Sequence, residues 1–381
     1  MAGFAPVSHR TVAALLDAIG DGWEGVSAAR RKAVGAALPI LAELSLGAGK
    51  RALRHVLAET NRRSVFLLVS HRALDQAAAI APLRRAGAAF VPFIHDLIPL
   101  SHPEYARPPQ VRRHLARIAT VSAMADGVVV NSAATAASLR VELAARGLPA
   151  PAAVAVAPLG LPLRPAPPGA ADGSTAPYFV CLGTIEPRKN HLLLLHLWRD
   201  LAARLGDAAP RLLLIGRRGW ENENILDLLD RCDALRGLVQ ECGTLGDAEV
   251  ASLLAGSRAL LFPSYAEGYG LPLAEALALG VPAICSDLPA LREVGGTVPE
   301  YLDPLDGAAW RHAVLDYADP ASAARAAQLR RLAHWRAPTW DAHFAAVDAL
   351  LERVVSGRIK AADVGDPTPV PLLPELEQVS A

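Results

Sequence analysis

The chain has 381 residues, of which 52% are hydrophobic and only 5% are aromatic. A chain of this length usually forms two domains. A core built mostly from Ala, Leu and Val is typical of helices packed on parallel sheets. The overall charge is zero, but residues 1–172 hold 19 Lys and Arg residues against 11 Asp and Glu residues. This basic half favours an anionic partner, either a phosphorylated acceptor or a membrane surface, although a scattered, solvated basic surface is an equal alternative.

The cysteine content points to a reducing compartment. All four cysteines come after residue 172, and none has the spacing of a metal site: Cys181, Cys232, Cys242 and Cys285. We interpret them as reduced residues of a cytoplasmic protein, which excludes a disulfide framework. The most apolar N-terminal stretch, residues 33–49, contains Pro39 and Glu43 and is too short to span a bilayer. No signal peptide is visible.

The N-terminal half alternates apolar runs with helical patterns. Up to about residue 60 the pattern is helical and offers no clear opening strand. Predicted strands then follow at Val65–Val69, Phe90–Ile94, Val128–Val130 and Ala153–Ala157. Polar residues come directly after three of these strands: Ser70 and His71, His95 and Asp96, Asn131 and Ser132. Such alternation predicts a doubly wound α/β sheet.

A stretch rich in Pro, Ala and Gly, residues 162–177, predicts an interdomain linker. The division that we predict is an N-terminal domain over 1–172, a second domain over 173–335, a C-terminal helix over 336–355 and a disordered tail over 356–381. Strands of the second domain are predicted at Tyr178–Leu182, Leu212–Ile215 and Leu238–Glu241. The first of these runs into GTIEPRKNH, which places Arg188 and Lys189 at the end of a strand, where doubly wound sheets bind ligands.

The most informative stretch is Arg258–Gly296. An apolar run at Ala259–Phe262 predicts a strand, and Pro272 favours a helix that begins after the glycine-flanked loop Glu267–Leu271. Gly280 suits the end of that helix, and Val281–Cys285 predicts the next strand. Glycines let a backbone approach a ligand closely, and a helix N-terminus favours an anion. The sequence therefore predicts a phosphate site flanked by two carboxylates, Glu267 and Glu275.

These motifs resemble those of the retaining glycosyltransferases of family 4. Glu267 and Glu275 are separated by seven residues inside PSYAEGYGLPLAEALALGVPAICSD, which looks like the E-x7-E signature of that family. The resemblance covers residues 65 to 355. It implies the GT-B architecture, with two Rossmann-like, doubly wound domains facing a cleft. HDLIPLSHPEY and GTIEPRKNH resemble segments of a branch enriched in mannosyltransferases.

The resemblance also implies roles for individual residues. Arg188 and Lys189 would bind the donor diphosphate, while Glu267 and His95 would hold the donor sugar and Glu275 the ribose. The other donor-binding residues that it implies are Gly183, Thr184, Gly216, Leu245, Gly268, Tyr269, Gly270 and Leu271. Weaker candidates for the acceptor side are His71, His102 and Glu104. No metal site is expected, because no DxD-type acidic pair follows a strand and GT-B enzymes generally act without a metal.

The implied reaction transfers a hexose, with mannose from GDP-mannose as the expected donor, to a lipid-linked glycan or polysaccharide precursor in bacteria. No cofactor and no nucleic-acid partner are expected. We expect a cytoplasmic protein, with possible peripheral contact to the inner face of the membrane through Arg112, Arg113 and Arg117.

Three alternatives stay open. Paired Glu residues also serve glycosidases, and a sugar-nucleotide epimerase shares a similar scaffold. The third alternative is a non-catalytic partner that keeps the fold. It arises because MAGFAPVSHRTVAALLDAIGDG lacks the opening strand and Gly-rich loop of the family, so either the start codon is displaced or the first strand is missing.

Overall fold

The computed structural model describes residues 64–161 and 177–357. The predictions for the first 60 residues, for most of the linker and for the tail beyond residue 357 lie outside these ranges. Within them the chain forms two parallel sheets, one of four strands and one of six. No helix in the described ranges is long and apolar enough to cross a bilayer.

The N-terminal sheet has the strand order β1-β2-β3-β4, with every neighbouring pair parallel. Its strands are β1 (Val65–Leu68), β2 (Ala89–Ile94), β3 (Val128–Val130) and β4 (Val154–Val156). The accompanying helices are α1 (Ala77–Arg85), α2 (Ile98–Ser101), α3 (Pro108–Met124) and α4 (Ala133–Ala144). Strand β2 is buried along its whole length, which explains its unbroken apolar sequence.

The second sheet has the order β10-β9-β8-β5-β6-β7 and is also parallel. Its strands are β5 (Tyr178–Leu182), β6 (Arg211–Ile215), β7 (Val239–Gly243), β8 (Leu260–Phe262), β9 (Ala283–Ser286) and β10 (Glu300–Leu302). Its helices are α5 (His191–Leu205), α6 (Glu223–Arg231), α7 (Asp247–Ala255), α8 (Leu271–Ala278), α9 (Pro289–Gly295), α10 (Gly307–Ala318) and α11 (Ala323–Leu332).

The strand order of the second sheet reverses direction between β5 and β8. The chain starts at β5, builds outward through β6 and β7, and then returns to the other side of β5 with β8. A reversal of this kind opens a crevice beyond the carboxyl ends of the two central strands, where doubly wound sheets bind ligands. The loops that follow β5 and β8 are those that carry Arg188, Lys189 and Glu267.

Both faces of the second sheet are covered by apolar clusters, because successive residues of a strand point to opposite faces. Phe179 and Cys181 pack on one side with Trp198 and Trp310, whereas Val180 packs on the other side. All four cysteines are free, and Cys181 and Cys285 are buried in strands.

The last described helix, α12 (Trp340–Val355), lies against the N-terminal sheet. Val347, Leu350 and Val354 pack into a cluster that includes Val91 of β2 and Val129 of β3. The side chain of Thr339 accepts a hydrogen bond from the Ala342 amide and thereby caps the start of the helix. The chain thus returns to the N-terminal domain after completing the second one.

Most predicted strands form at the expected positions, and Val128–Val130 and Tyr178–Leu182 match residue for residue. The helix after the glycine loop begins at Leu271, with Pro272 in its first turn. Strand β10 was not predicted. Its sequence, Glu-Tyr-Leu, is too short and too polar to give an apolar run, and it forms because it pairs with β9.

Candidate active site

The crevice between β5 and β8 holds a compact group of charged side chains. Nζ of Lys189 donates a hydrogen bond to Oε1 of Glu267 over 2.6 Å, and a guanidinium nitrogen of Arg188 lies 3.0 Å from the same oxygen. Arg188 also donates to Oε1 of Glu186 and to the Ala266 carbonyl, at 2.7 and 2.6 Å. The sequence prediction did not include the direct contact between the two cations and Glu267.

Burial and charge act against each other in this group. Burial alone would raise the pKa of Glu267, but the attraction of Lys189 and Arg188 lowers it below its ordinary value. Burial also opposes the charge on Arg188, yet the neighbouring Glu267 and Glu186 raise the pKa of its guanidinium. Glu267 and Arg188 are therefore both charged at neutral pH, and Glu267 is poorly suited to be a general acid.

Tight packing fixes the position of Lys189. Its ammonium lies over the Phe262 ring, 4.8 Å from the ring centroid, and the residue is 8% exposed. Gly183 lies against its stem, since a Cβ there would sit 3.5 Å from Cε of Lys189. The one-turn 3-10 helix Pro187–Lys189 orients both cations toward the loop after β8. The pair is consequently held in place before any ligand binds.

The loop after β8 approaches the N-terminal domain closely. A Cβ on Gly268 would lie 2.6 Å from the His95 carbonyl oxygen and 2.8 Å from Cβ of Asp96. Gly270 has φ +104°, and a Cβ on it would lie 2.5 Å from Leu291. Only glycine satisfies both the close approach and the positive φ. Tyr269 is buried, and its hydroxyl donates to the Leu159 carbonyl at 2.8 Å.

Glu275 lies one turn into α8 and is half-buried. Burial, followed by repulsion from Asp247, raises the pKa of its carboxyl. Its environment therefore differs from that of Glu267, whose pKa is lowered. The two carboxylates of the E-x7-E signature thus lie in different surroundings. Glu267 is ion-paired with Lys189 and Arg188, whereas Glu275 lies on the helix and is repelled by Asp247.

The remaining predicted donor-binding residues line the same edge of the sheet. Gly183 and Gly216 end β5 and β6 and pack against each other, and a Cβ on Gly216 would overlap the Gly183 carbonyl. Thr184 is half-buried next to them, and Leu245 follows β7 and packs partly on the core. Their contact with a donor stays a prediction.

His95 ends β2 and faces the loop after β8 from the N-terminal domain. Its ring Nε2 lies 2.8 Å from the Val69 carbonyl, which can only accept, so Nε2 donates this hydrogen bond. Its backbone carbonyl accepts from Nδ2 of Asn131 at 2.9 Å. Asp96 accepts from the Ile98 amide at 3.2 Å and so caps the following turn.

His71 was a weak candidate for the acceptor side, and the structure places it directly on His95. Its Nε2 accepts a hydrogen bond from the His95 amide at 3.1 Å, and the two rings are 5.1 Å apart. His114 lies 5.3 Å from His71 on the other side, in contact with Arg117. Burial, His95, His114 and Arg117 together lower the pKa of His71 to about 3. His71 is therefore a neutral acceptor.

Arg117 does not belong with Arg112 and Arg113 on the outer surface. Its guanidinium lies 3.0 Å from Nδ1 of His114, and burial lowers its pKa. Arg112 and Arg113 are exposed. Arg117 differs from them because its side chain contacts the buried His114, which lies three residues earlier and is therefore its neighbour on the helix.

The other acceptor-side candidates lie at the mouth of the cleft. His102 stacks on Tyr105, which in turn stacks on Tyr265 of the second domain, with ring centroids 5.5 Å apart. Glu104 is exposed in the same turn. Within residues 64–161 and 177–357, no group of three His, Cys, Asp or Glu side chains is arranged to hold a metal ion.

Residues 176–319 match the family described as Glycosyl transferases group 1. The match lies within the second domain, which is similar to the group 1 glycosyltransferases. This domain contains Arg188, Lys189, Glu267 and Glu275, which are the residues on which the resemblance was based. The family prediction is therefore confirmed.

Two curated relatives carry mannosyltransferase names. Over 164 residues the chain is 34% identical to O-antigen chain mannosyltransferase B of Escherichia coli, covering 43% of this chain and 42% of that protein. Over 241 residues it is 30% identical to the serotype-specific mannosyltransferase WbdA of Escherichia coli, covering 60% of this chain and 29% of that protein. The chain thus aligns with less than half the length of these two relatives.

Solved structures show the same architecture as the glycosyltransferase domain and its N-terminal neighbour. Sucrose-phosphate synthase from Thermosynechococcus elongatus superposes with a TM-score of 0.60 at 18% identity, over 86% of this chain and 80% of that one. HepE of Anabaena in complex with UDP gives a TM-score of 0.61 at 16% identity, over 79% and 81% of the two chains. The predicted GT-B fold is confirmed.

Proposed function

We propose that the protein transfers a hexose from a nucleotide sugar to a glycan acceptor, with retention at the anomeric carbon. One observation carries this proposal. The ion-paired group of Arg188, Lys189 and Glu267 lies at the strand reversal of the second domain, and the adjoining Gly268 touches the backbone of His95 in the first domain. A ligand in this crevice would meet phosphate-binding cations at one end and sugar-binding groups at the other.

The cations are suited to a diphosphate leaving group. Lys189 has three N–H donors, of which Glu267 takes one. Glu267 holds both cations in fixed positions, so little reorganisation is needed when negative charge develops on the departing phosphate. Donors that are oriented in advance toward developing charge lower a barrier more than mobile ones do. The N-terminus of α8, with the amides of the Gly268–Leu271 loop, would add to this stabilisation.

The sugar would lie between Glu267 and His95. A carboxylate without a proton accepts hydrogen bonds from sugar hydroxyls, and the His95 ring would supply a second polar contact. Glu275 is placed one turn further along α8, where it could receive the ribose hydroxyls. These assignments are proposals, and they rest on the family resemblance together with the placement of the three side chains.

In the proposed step, the bond between the anomeric carbon and the phosphate oxygen breaks, and the electron pair leaves with the nucleoside diphosphate. The acceptor hydroxyl attacks the same face of the sugar and forms the new carbon–oxygen bond. Its proton passes to the departing phosphate oxygen, which becomes a base as it takes the electron pair of the broken bond. Arg188 and Lys189 stabilise the leaving group throughout.

We propose mannose as the transferred sugar, GDP-mannose as its donor and a lipid-linked glycan as the acceptor. The support is the HDLIPLSHPEY and GTIEPRKNH segments and the mannosyltransferase names of the two Escherichia coli relatives. A cytoplasmic location on the inner face of the membrane would suit such an acceptor, and the exposed Arg112 and Arg113 would provide contact with anionic lipids.

The experiment is turnover of purified protein with GDP-mannose and, in parallel, with UDP-glucose, followed by NMR of the product linkage. An α-linked product from the α-linked donor supports the proposal. A β-linkage would overturn retention, and activity with the UDP-sugar alone would overturn only the choice of donor. Release of free sugar without transfer would support hydrolysis. Nucleotide binding without any turnover would support a non-catalytic partner.

A further inference from the structure

Two hydroxyl groups of the N-terminal domain lie within hydrogen-bond distance of the carbonyl of Gly268 in the second domain. Oγ of Ser132 lies 2.6 Å and Oγ1 of Thr135 lies 3.1 Å from this oxygen. Ser132 is 1% exposed and Thr135 is 3% exposed, so both contacts are shielded from water. Gly268 belongs to the loop that adjoins Glu267, and the contact therefore reaches the centre of the proposed donor site.

The number of available protons shows which of the two hydroxyls donates a hydrogen bond to the Gly268 carbonyl. Each hydroxyl has one proton, and Oγ of Ser132 already accepts from the Thr135 amide at 2.9 Å. Oγ1 of Thr135 lies 3.1 Å from Oδ1 of Asn131, which must be an acceptor because Nδ2 of that residue donates to the His95 carbonyl. Ser132, whose oxygen is the nearer of the two, therefore donates to the Gly268 carbonyl, and Thr135 donates to Oδ1 of Asn131. The chain of bonds continues from Gly268 to His95.

A carboxylate from the second domain secures the same helix end. Oε2 and Oε1 of Glu293, on α9, accept from the amides of Ala133 and Ala134 at 2.7 and 2.6 Å. The first four amides of a helix have no partner within it. Here Glu293 satisfies two of them and Ser132 satisfies a third. A negative charge at this end is also favoured by the helix dipole.

We propose that Ser132, Thr135 and Glu293 form an interdomain latch that positions the Gly268 loop for the reaction. Because the latch joins Gly268 to Asn131 and thereby to His95, closing the cleft and aligning the donor loop with His95 become a single event. These are positioning residues, which act through Gly268 and His95. This inference rests on the proposed function for the identity of the ligand that the Gly268 loop binds. The contact between the two domains does not depend on that ligand.

The test compares Ser132→Ala with Ser322→Ala in the full chain. Ser322 caps α11 within the second domain, accepts from the Arg325 amide at 3.0 Å and is 6% exposed, so both variants lose an equivalent cap. A second pair is Glu293→Gln against Glu249→Gln, since the Glu249 carboxylate accepts from the Gly246 amide at 3.0 Å within one domain. Ser132→Thr retains the hydroxyl and is the rescue variant.

Small-angle scattering of the ligand-free proteins measures closure, and steady-state kinetics with GDP-mannose measures alignment. We expect Ser132→Ala and Glu293→Gln to increase the radius of gyration and to lower kcat at least 10-fold, with unchanged stoichiometry of GDP binding. The radius of gyration and kcat of Ser322→Ala, Glu249→Gln and Ser132→Thr are expected to equal those of the wild type. If the two variants of each pair have the same radius of gyration and the same kcat, the latch is wrong. Expansion with normal kcat would overturn its positioning role.

Failure of the proposed function gives a different result. If the wild-type protein neither binds GDP or UDP nor turns over GDP-mannose, the proposed function is wrong. The scattering comparison then decides the latch alone: expansion of the Ser132 and Glu293 variants supports an interdomain contact, and its absence overturns that contact.

Discussion

Lys189 and Glu267 lie 78 residues apart in the sequence, yet Nζ of one and Oε1 of the other are separated by only 2.6 Å. The two side chains are 10% and 9% exposed. Arg188 shares the same carboxylate oxygen, so the site holds two cations on one anion rather than two free cations. Glu267 therefore has a structural role, which is to fix the cations, in addition to any contact with a sugar.

Replacement of Lys189 should lower turnover strongly. Removing one partner of a desolvated charge contact costs roughly 2–5 kcal/mol, which corresponds to about 30-fold or more in rate. Lys189→Ala and Lys189→Met should both show this loss, because Met restores the packing on Phe262 but not the charge. The measurement is kcat/KM for the donor.

The matched control is Arg204→Ala. Arg204 forms an exposed ion pair with Asp200 on α5, and such solvent-screened pairs contribute little to stability. Its turnover should change less than twofold. Near-normal turnover in Lys189→Met would show that the charge is not required.

Gly268→Ala should separate the loop from the N-terminal domain. The new Cβ would lie 2.6 Å from the His95 carbonyl, and backbone cannot move aside as a flexible side chain can. We expect at least a 10-fold loss of kcat with little change in the melting temperature of the second domain. Gly307→Ala is the control, since its Cβ would meet Leu193 at an ordinary 3.5 Å. Equal kcat in the two variants would contradict the close approach.

His71 should make the protein less stable in mild acid. Its pKa is about 3 in the folded state against an ordinary 6.5, mainly because of burial, with added repulsion from His95, His114 and Arg117. Between these values the unfolded chain binds more protons, so stability falls as pH decreases from 6.5 toward 3, by up to about 1.4 kcal/mol per pH unit.

His71→Gln keeps an acceptor for the His95 amide but cannot titrate. Denaturant unfolding at several pH values should therefore show a smaller pH slope in this variant than in the wild type. The buried His191, whose pKa is lowered to about 4, will still contribute in both proteins. Identical slopes would show that His71 is not neutral in the folded state.

Turnover should be independent of divalent metal ions. Arg188, Lys189 and the amides at the start of α8 supply the positive field that a bound cation supplies in other transferases. Activity in excess chelator should equal activity in buffer. A loss of kcat that Mg²⁺ or Mn²⁺ restores would contradict this expectation.

Binding to anionic vesicles should depend on Arg112 and Arg113. Each basic residue near an anionic surface contributes on the order of 1 kcal/mol, screened by salt. The double variant Arg112→Gln/Arg113→Gln should reduce co-sedimentation about 30-fold at low salt. Arg204→Gln/Arg236→Gln, which changes two exposed arginines of the second domain, should have little effect. Equal binding of wild type to neutral and anionic vesicles would contradict electrostatic attachment.

The sequence by itself predicted most of the strands, the glycine loop and the candidate residues that follow strand ends in the second domain. Apolar runs mark buried parallel strands, and Pro272 and Gly280 mark the two ends of a helix, because these signals act over a few neighbouring residues. Residues after strand ends, such as Arg188 and His95, could be placed at the cleft because parallel strands bring their carboxyl ends to one edge.

Only the tertiary structure decided which of these residues touch. The pairing of Lys189 with Glu267 depends on β5 and β8 being adjacent, and the contact of Ser132 with Gly268 depends on how two domains meet. The sequence placed Asn131 and Ser132 only after the end of a strand, whereas in the structure Ser132 caps α4 and also donates to a carbonyl 136 residues away. Arg117 looked like a surface cation because its charge is visible in sequence, whereas its neighbour His114 is set by packing. Contacts between distant residues arise from the packing of whole elements, which a local pattern does not encode.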